Sequence, residues 1–235
     1  MPIREARFSD HAALATLCSA AFFEEDLFGR VMHPHRHEYP DDVPIFWHQF
    51  IRDHWADWQN KLIVAVRPDV ENPNVEAIAG LAIWQRQGEG GKKLVPSSLD
   101  PRNLLHPCVK ISNRISSLLY VNRALDPTKL NVLEDSMPYC EHHWHGDRAE
   151  NWYLSLCAVH PDYQGKGVGR EVVKWGLDEA EKENIHASVM SSKGNEDFYL
   201  RCGFDEIVGN GTEGEGNPLT GVPGGAILFK YPRKD

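Results

Sequence analysis

The sequence predicts a mixed α/β fold of the α+β class, formed by 235 residues as a single domain. Three observations point to this class. From residue 152 to residue 231, strand-like apolar runs alternate with segments of helical periodicity. Two β-rich runs, KLIVAV and VEAIAGLAIW, are separated by a short segment with Asn and Pro, which is typical of an antiparallel pair. Hydrophobic residues make up 41% of the chain, as in ordinary globular proteins.

The N-terminal part is predicted to be mainly helical. A short extended run over 2–8 precedes a helix that begins after Ser9 and Asp10, both of which are common helix caps. Residues 29–43 are rich in His and Pro and are expected to form a loop, and a second helix follows over 44–58. The first helix has apolar positions at helical spacing, namely Ala13, Leu14, Leu17, Ala20 and Ala21.

The middle of the chain begins with two strands, predicted over 61–66 and 75–84. Residues 85–148 show no strong core pattern and are too long for a bare loop. We therefore interpret them as an insertion within the domain, with helical turns over 108–124 and 128–135.

The C-terminal part is more regular. Strands are expected over 152–159, 186–190 and 226–231, and a further strand is expected to begin at Gly203. Helices are expected over 170–184 and 195–201. The longer helix has a stripe predicted to be buried, consisting of Val172, Val173, Gly176, Leu177 and Ala180.

Composition argues against several classes of function. No apolar run approaches the roughly 18 to 20 residues of a membrane span, and the first residues lack the apolar segment of a secretory signal. The net charge of −9 disfavours a nucleic-acid partner, which needs clustered Lys and Arg. Five cysteines without a C-x-x-C pair indicate a reduced compartment. We therefore expect a cytoplasmic protein with neither a membrane nor a nucleic-acid partner.

The stretch most informative about chemistry is QGKGVG, residues 164–169, between a predicted strand and a predicted helix. Glycines let the backbone turn tightly, and a helix N-terminus offers unpaired N–H groups, so this stretch suits a phosphate. A Walker A loop needs Ser or Thr after its Lys, but Gly167 follows Lys166. A dinucleotide fingerprint needs Gly where Arg170 stands. Neither of these motifs fits.

Together with the residues before it, VHPDYQGKGVG (159–169) matches the pattern V-x-P-x-x-[QR]-x-x-G-x-[GA] of the GNAT superfamily of N-acetyltransferases. A second segment, FYLRCGF (198–204), resembles the FYxxxGF segment of that family. The resemblance covers most of 2–84 and 149–231, and the arrangement is similar to a GNAT branch common in fungi. It implies a mixed, mostly antiparallel sheet that splays near its middle, is flanked by helices and receives acetyl-CoA as cosubstrate.

The resemblance implies contacts of two groups of residues with acetyl-CoA. The loop residues would hold the pyrophosphate, and the strand residues would pair with the pantetheine arm and the thioester carbonyl. Many members have an Asn seven residues before the Tyr of the second segment, and Ser192, with a weaker hydroxyl contact, stands there in this chain. The loop group is Gln164, Gly165, Lys166, Gly167, Val168, Gly169 and Arg170, and the strand group is Cys157, Ala158 and Val159.

Tyr199 is the catalytic residue that the resemblance implies. In many members this Tyr protonates the departing CoA thiolate, and a phenol with an ordinary pKa of about 10 suits that role. The alternative is a Tyr that only packs beside the cosubstrate or in the core. Backbone N–H groups near Val159 would stabilise the oxyanion.

The general base stays open at this point. Some relatives have a Glu on the motif strand, whereas Tyr153, Ser155 and Cys157, expected to share one face of that strand, include no carboxylate. A cysteine on a strand is more often buried than nucleophilic. The nearby candidates for the base are Glu150, Asp147 and His145.

Two clusters rich in His, residues 33–37 and 140–145, lack the ligand spacing of zinc sites, so we predict no metal. Aromatic residues of the N-terminal region are expected to be mostly core, with a few that line an acceptor pocket for an apolar or aromatic amine. The net acidity favours a cationic amine. These aromatic residues are Phe22, Phe23, Phe28, Phe46, Trp47, Trp55 and Trp58.

The sequence thus predicts an acetyl-CoA-dependent N-acetyltransferase that acts by direct attack of a small-molecule primary amine. One alternative is an acetyltransferase for protein N-termini or lysines, which would need an open groove, whereas the insertion favours a covered pocket. Another is a non-catalytic acyl-CoA-binding module, against which Tyr199 argues.

Overall fold

A computed structural model describes residues 3–97 and 99–233 and contains one seven-stranded sheet. Its strands are β1 (Ile3–Glu5), β2 (Asn60–Pro68), β3 (Glu76–Arg86), β4 (Asn151–Val159), β5 (His186–Ser192), β6 (Glu206–Asn210) and β7 (Gly224–Lys230). They lie in the order β1-β2-β3-β4-β5-β7-β6. Neighbours are antiparallel except β4 and β5, which are parallel. The predicted fold class, a mostly antiparallel sheet flanked by helices, is confirmed.

The helices are α1 (His11–Phe22), α2 (Val43–Ala56), α3 (Gly88–Lys92), α4 (Leu105–Leu119), α5 (Val132–Cys140), α6 (Val168–Glu183) and α7 (Glu196–Cys202). Most predicted boundaries differ from these by a few residues. The expected loop over 29–43 overlaps one π-helical turn, Asp26–Val31. The strand expected at Gly203 begins at Glu206, because Gly203 has a left-handed φ of 115° that ends α7.

Residues 85–148 contain the end of β3 and the helices α3, α4 and α5. The turns expected over 108–124 and 128–135 correspond to α4 and α5, displaced by about one helical turn. Pro107 is compatible with the first turn of α4, where no intrahelical N–H bond is lost. Helix α4 packs against α2, so part of this segment extends the helical layer over one face of the sheet.

Each face of the sheet carries its own apolar core. Helices α1 and α2 cover one face through Leu14, Leu17 and Trp47, which pack with residues of β2 and β3. Helix α6 covers the other face, and its predicted stripe is buried as expected. Gly176 in that stripe is required by contact, because a Cβ there would lie 2.1 Å from the Trp84 indole.

A β-bulge in β4 changes which side chains share a face. Ile83 of β3 pairs with Leu156, but the next residue of β3, Trp84, pairs with Leu154, so Ser155 is the extra residue. The Ser155 hydroxyl donates to the Ile83 carbonyl at 3.1 Å.

The alternation of β4 side chains switches at this bulge. Tyr153 packs beside Trp144, whereas Cys157 packs in the core under α6. The expectation that Tyr153, Ser155 and Cys157 share one face is therefore wrong, because the bulge breaks the period of two.

No helix within residues 3–97 and 99–233 combines the length and the apolar character needed to cross a bilayer.

Candidate active site

The candidate site is a cavity where β4 and β5 separate. The two strands pair only between Asn151–Leu154 and His186–Val189, and their later residues diverge. A cavity of about 550 Å³ opens there, with residues 154–159 on one side and Val189, Met190 and Ser192 on the other. The splay expected from the resemblance is therefore present, and it places the end of β4 against open space.

The glycine loop lies at one end of this cavity. Gly165 has φ +73° and Gly167 has φ +82°, a left-handed conformation that residues with a Cβ rarely adopt. A Cβ at Gly167 would meet nothing within 4 Å, so backbone conformation and not crowding requires glycine there. Helix α6 begins at Val168, and the N–H groups of its first turn have no carbonyl partner within the helix. The loop and this helix end therefore form an anion-binding surface beside the cavity.

Two cationic side chains extend from the same loop. Lys166 donates to the Asp162 carbonyl at 2.8 Å, and its ammonium lies 5.5 Å from the centre of the Tyr163 ring. Arg170, which lines the cavity, lies 3.5 Å from the Arg201 carbonyl. The positive charge of this region adds to the helix dipole, although the whole chain carries a net charge of −9.

The open edge of β4 presents backbone groups to the cavity. His160 donates its N–H to the Ala79 carbonyl beside β3 at 3.0 Å. Backbone N–H groups alternate between the two edges of a strand, so those of Val159 and Cys157 point towards the edge that β5 has left. The Val159 carbonyl accepts from the Gln164 side chain at 3.1 Å, which links the strand to the loop. Cys157, Ala158 and Val159 all line the cavity.

Tyr199 lines the cavity from α7 and is 7% exposed. Its ring packs edge-on against Phe198 and Phe204. Burial raises the pKa of the phenol well above its ordinary value, and the nearby Cys157 thiol adds to the shift. Burial likewise raises the pKa of Cys157 to about 12. Both groups are therefore neutral near pH 7, and Tyr199 keeps a proton to donate.

The opposite wall contributes a carboxylate that sequence reasoning missed. Glu25 follows α1 and caps the π-helical turn, where one oxygen accepts from the N–H groups of Leu27 (2.9 Å) and Phe28 (2.7 Å). Its other oxygen accepts from the Ser192 hydroxyl at 2.9 Å. Burial raises the pKa of Glu25 above its ordinary value, against the effect of these hydrogen bonds. Glu25 and Ser192 both line the cavity.

Aromatic rings form the wall beside Glu25. Phe22 and Phe28 line the cavity, and Trp47 packs behind both, with ring centres 5.1 Å away in each case. Phe46 and Phe50 back Phe28 at 6.2 Å. Of the other aromatic residues in this region, Phe23 packs on His37 and Trp55 on Phe8, and neither lines the cavity.

The three nearby candidates for the general base do not line this cavity. Glu150 stands before the first residue of β4, where it forms a 2.7 Å ion pair with Arg86. Asp147 and Glu150 border a different depression, with Arg148 and His186. His145 is exposed beyond the same end of the strand. These residues are close to β4 in the sequence, but they lie at the N-terminal end of the strand, whereas the cavity opens at its C-terminal end.

The clusters rich in His make other contacts. His33 is buried, with its Nδ1 2.6 Å from the Phe28 carbonyl, and His143 packs against Trp144. In the part of the chain that the structure describes, no group of three His, Cys, Asp or Glu side chains has the arrangement of a metal site.

Comparison with known proteins agrees with this geometry. Residues 137–204, which include β4, the glycine loop and Tyr199, match the model of the Acetyltransferase (GNAT) family. The matched segment carries the features of a GNAT acetyltransferase. The chain is accordingly an N-acetyltransferase with acetyl-CoA as its acyl donor.

Similar proteins match this chain over nearly its whole length. It is 24% identical over 210 residues to an acetyltransferase of Stachybotrys chartarum, covering 88% of this chain and 81% of the relative. Its fold is similar to that of a "histone acetyltransferase HPA2 and related acetyltransferase" from Corynebacterium glutamicum, with TM-score 0.60, 18% identity and 99% and 97% of the two chains covered. An N-acetyltransferase from Staphylococcus aureus gives TM-score 0.51 at 16% identity, with 98% and 100% covered.

Proposed function

We propose that this GNAT acetyltransferase transfers acetyl from acetyl-CoA to the primary amine of a small molecule, by direct attack of the amine on the thioester. The observation that carries the proposal is that Glu25 and Tyr199 line the same cavity. A half-buried carboxylate with a raised pKa is a suitable base, and a buried, neutral phenol is a suitable acid. Both line the space that the glycine loop borders.

The acyl donor is assigned to the loop and to the open edge of β4. Backbone N–H groups of residues 164–169 and the start of α6, with Lys166 and Arg170, would bind the pyrophosphate. The N–H and carbonyl groups of Cys157 to Val159 would pair with the pantetheine arm. Ser192 would border the thioester from β5 while its hydroxyl holds Glu25.

The chemical steps follow from the same residues. Glu25 accepts a proton from the incoming ammonium, and the neutral amine then attacks the thioester carbon. The Val159 N–H stabilises the oxyanion that forms. Glu25 passes that first proton to solvent and then accepts the second proton, which the nitrogen of the tetrahedral intermediate must lose to form the amide. When the carbon–sulfur bond breaks, Tyr199 donates its proton to the thiolate and is later reprotonated from solvent. The products are an N-acetylated amine and CoA with a free thiol, and no acetyl-enzyme is formed.

The acceptor is assigned to the space between Glu25 and the aromatic wall. Phe22 and Phe28 offer an apolar surface, and Glu25 offers a negative charge for an ammonium group. An aromatic surface beside a carboxylate suits a small amine that carries an apolar or aromatic group.

An amine panel tests the proposal. CoA thiol release would be measured with acetyl-CoA and phenylethylamine, butylamine, spermidine, or peptides carrying a free N-terminus or lysine. We expect the largest kcat/KM with phenylethylamine, because its ring buries apolar surface on the aromatic wall. Turnover restricted to peptides would favour the protein acetyltransferase. Binding of acetyl-CoA without turnover of any amine would favour the non-catalytic module.

We also propose that residues 1–235 form a single catalytic domain with an insertion at about 85–148. In support, all seven strands lie in one sheet, and α4 from the inserted segment packs against α2. A single cooperative unfolding transition, coincident by far-UV circular dichroism and by Trp fluorescence, is the expected result.

A further inference from the structure

Helix α4 is attached to the protein through its polar face. The Asn113 side chain accepts from Arg52 at 3.0 Å and donates to the Gln49 carbonyl at 3.1 Å. The Ser117 hydroxyl accepts from the Gln49 side chain at 3.1 Å. No residue of α4 is fully buried. Hydrogen bonds to α2, more than apolar packing, therefore hold this helix.

The opposite face of α4 is apolar and faces solvent. The apolar residues of this face are spaced by four, three, four and three positions, which is the heptad spacing of helices that pair. One additional Leu follows the last of them. The exposed fraction runs from 52% at Ile115 to 78% at Leu118. The residues of this outer stripe are Leu104, which immediately precedes α4, and Cys108, Ile111, Ile115, Leu118 and Leu119 of the helix.

The outer stripe is large for a surface that stays in water. Its side chains together expose on the order of 700 Å² of mainly apolar area, which exceeds the largest patch on a typical monomer. A standard protein interface buries about 800 Å² on each partner. A second α4 stripe packed on the first, with a rim such as Tyr120 and Val121, supplies an area of that size from both sides.

Charges beside the stripe restrict how two copies can pair. Residues 101–125 contain Arg102, Lys110, Arg114 and Arg123 and no Asp or Glu. At 100° per residue, Lys110 and Arg114 lie along one edge of the stripe, and Ser112 and Ser116 lie along the other. In an antiparallel two-fold pair, like edges meet and the cations repel, whereas in a parallel pair the basic edge faces the serine edge.

We infer that the outer stripe of α4 is the interface with a second copy of this chain, in a parallel two-fold helix pair. The pair buries the apolar stripe of both copies and keeps Lys110 and Arg114 in contact with solvent. In a parallel pair, residues at equivalent seam positions face each other, so Cys108 of one copy lies opposite Cys108 of the other.

Sedimentation equilibrium of the full chain tests the interface. We expect a species of twice the 26.6 kDa chain mass. The double variant Ile115→Glu/Leu118→Glu should be monomeric and should keep the far-UV circular dichroism spectrum of the wild type, because both side chains point outward. The matched control is Val70→Glu/Val75→Glu, which places the same two charges at side chains that are 57% and 51% exposed in the β2–β3 turn and should remain dimeric.

Oxidation with diamide tests the parallel arrangement. Two Cys108 thiols facing each other should lose two protons and two electrons to diamide and form a disulfide-linked dimer on non-reducing gels. Cys108→Ala should abolish this product.

A chain that stays monomeric at every concentration would overturn the inference, including one that instead sediments with phosphatidylcholine/phosphatidylserine vesicles. A double variant that stays dimeric would place the interface elsewhere. Dimers without a Cys108 crosslink would overturn the parallel pair.

Discussion

The Ser192 hydroxyl donates a 2.9 Å hydrogen bond to Glu25, a residue 167 positions away in the chain. The bond joins the last residue of β5 to the turn after α1, on two sides of the cavity. Because the other carboxylate oxygen of Glu25 caps the π-helical turn, the side chain is fixed at both of its oxygens. This pair therefore controls the position and the ionisation of the proposed base.

The ionisation of Glu25 leads to a pH prediction. Burial raises the pKa of Glu25, and the hydrogen bond from Ser192 partly offsets this. We expect kcat/KM to fall as pH decreases through the raised pKa, since a protonated base cannot accept the ammonium proton. Ser192→Ala removes a bond to the charged form, so the pKa of Glu25 should rise further and the acid limb should move to higher pH. The measurement is kcat/KM against pH for both proteins with one amine.

The ionisation of the amine itself contributes equally to both profiles, so the difference between them reports Glu25. Ser192→Thr, which keeps a hydroxyl, should restore the wild-type limb. Superimposable profiles of wild type and Ser192→Ala would contradict a control of Glu25 by Ser192.

Tyr199→Phe removes the proposed acid and keeps the ring. We expect kcat to fall by about 10²-fold, the lower range for general acid catalysis, with little change in acetyl-CoA affinity. Tyr153→Phe is the matched control, because the ring of Tyr153 packs against Trp144 on the other face of β4. An unchanged kcat in Tyr199→Phe would leave Tyr199 with a packing role only.

Gly167→Glu should abolish acetyl-CoA binding, since it adds a negative charge and an unfavourable φ beside the pyrophosphate. Gly221→Glu is the control, with a similar φ of +84° and open space around it. Thermal unfolding measures the result, because a ligand at about 100 times its Kd adds roughly 2.7 kcal/mol to the free energy of unfolding. Stabilisation of Gly167→Glu by acetyl-CoA would contradict the loop assignment.

Much of the donor side could be predicted because its information is local. Strand β4, the glycine loop and α6 are consecutive, and the turn at Gly165 and Gly167 needs residues that tolerate positive φ. The buried stripe of α6 follows from helical periodicity alone. Tyr199 lies on α7, after β5, and packs in the same core as residues of β4.

The acceptor side could not be predicted in the same way. Glu25 stands in the acidic run 24–26, which has no spacing motif, and only the tertiary fold brings it to Ser192. The bulge at Ser155 depends on the pairing of β4 with β3, so an uninterrupted period of two placed Tyr153 and Cys157 on one face incorrectly. The apolar residues of α4 face away from the core, so they could not be matched to a buried face of the domain.

The most direct test compares Glu25→Gln with Glu24→Gln. Glu24 is the adjacent carboxylate in the chain, but it lies in solvent and pairs with Arg36 at 2.9 Å. With an amine that turns over, Glu25→Gln should lower kcat/KM by about 10²- to 10⁴-fold, while stabilisation by acetyl-CoA is retained. Glu24→Gln should match the wild type. A Glu25→Gln protein with wild-type kcat/KM would contradict the assignment of the base and of the cavity wall on which acetyl transfer depends.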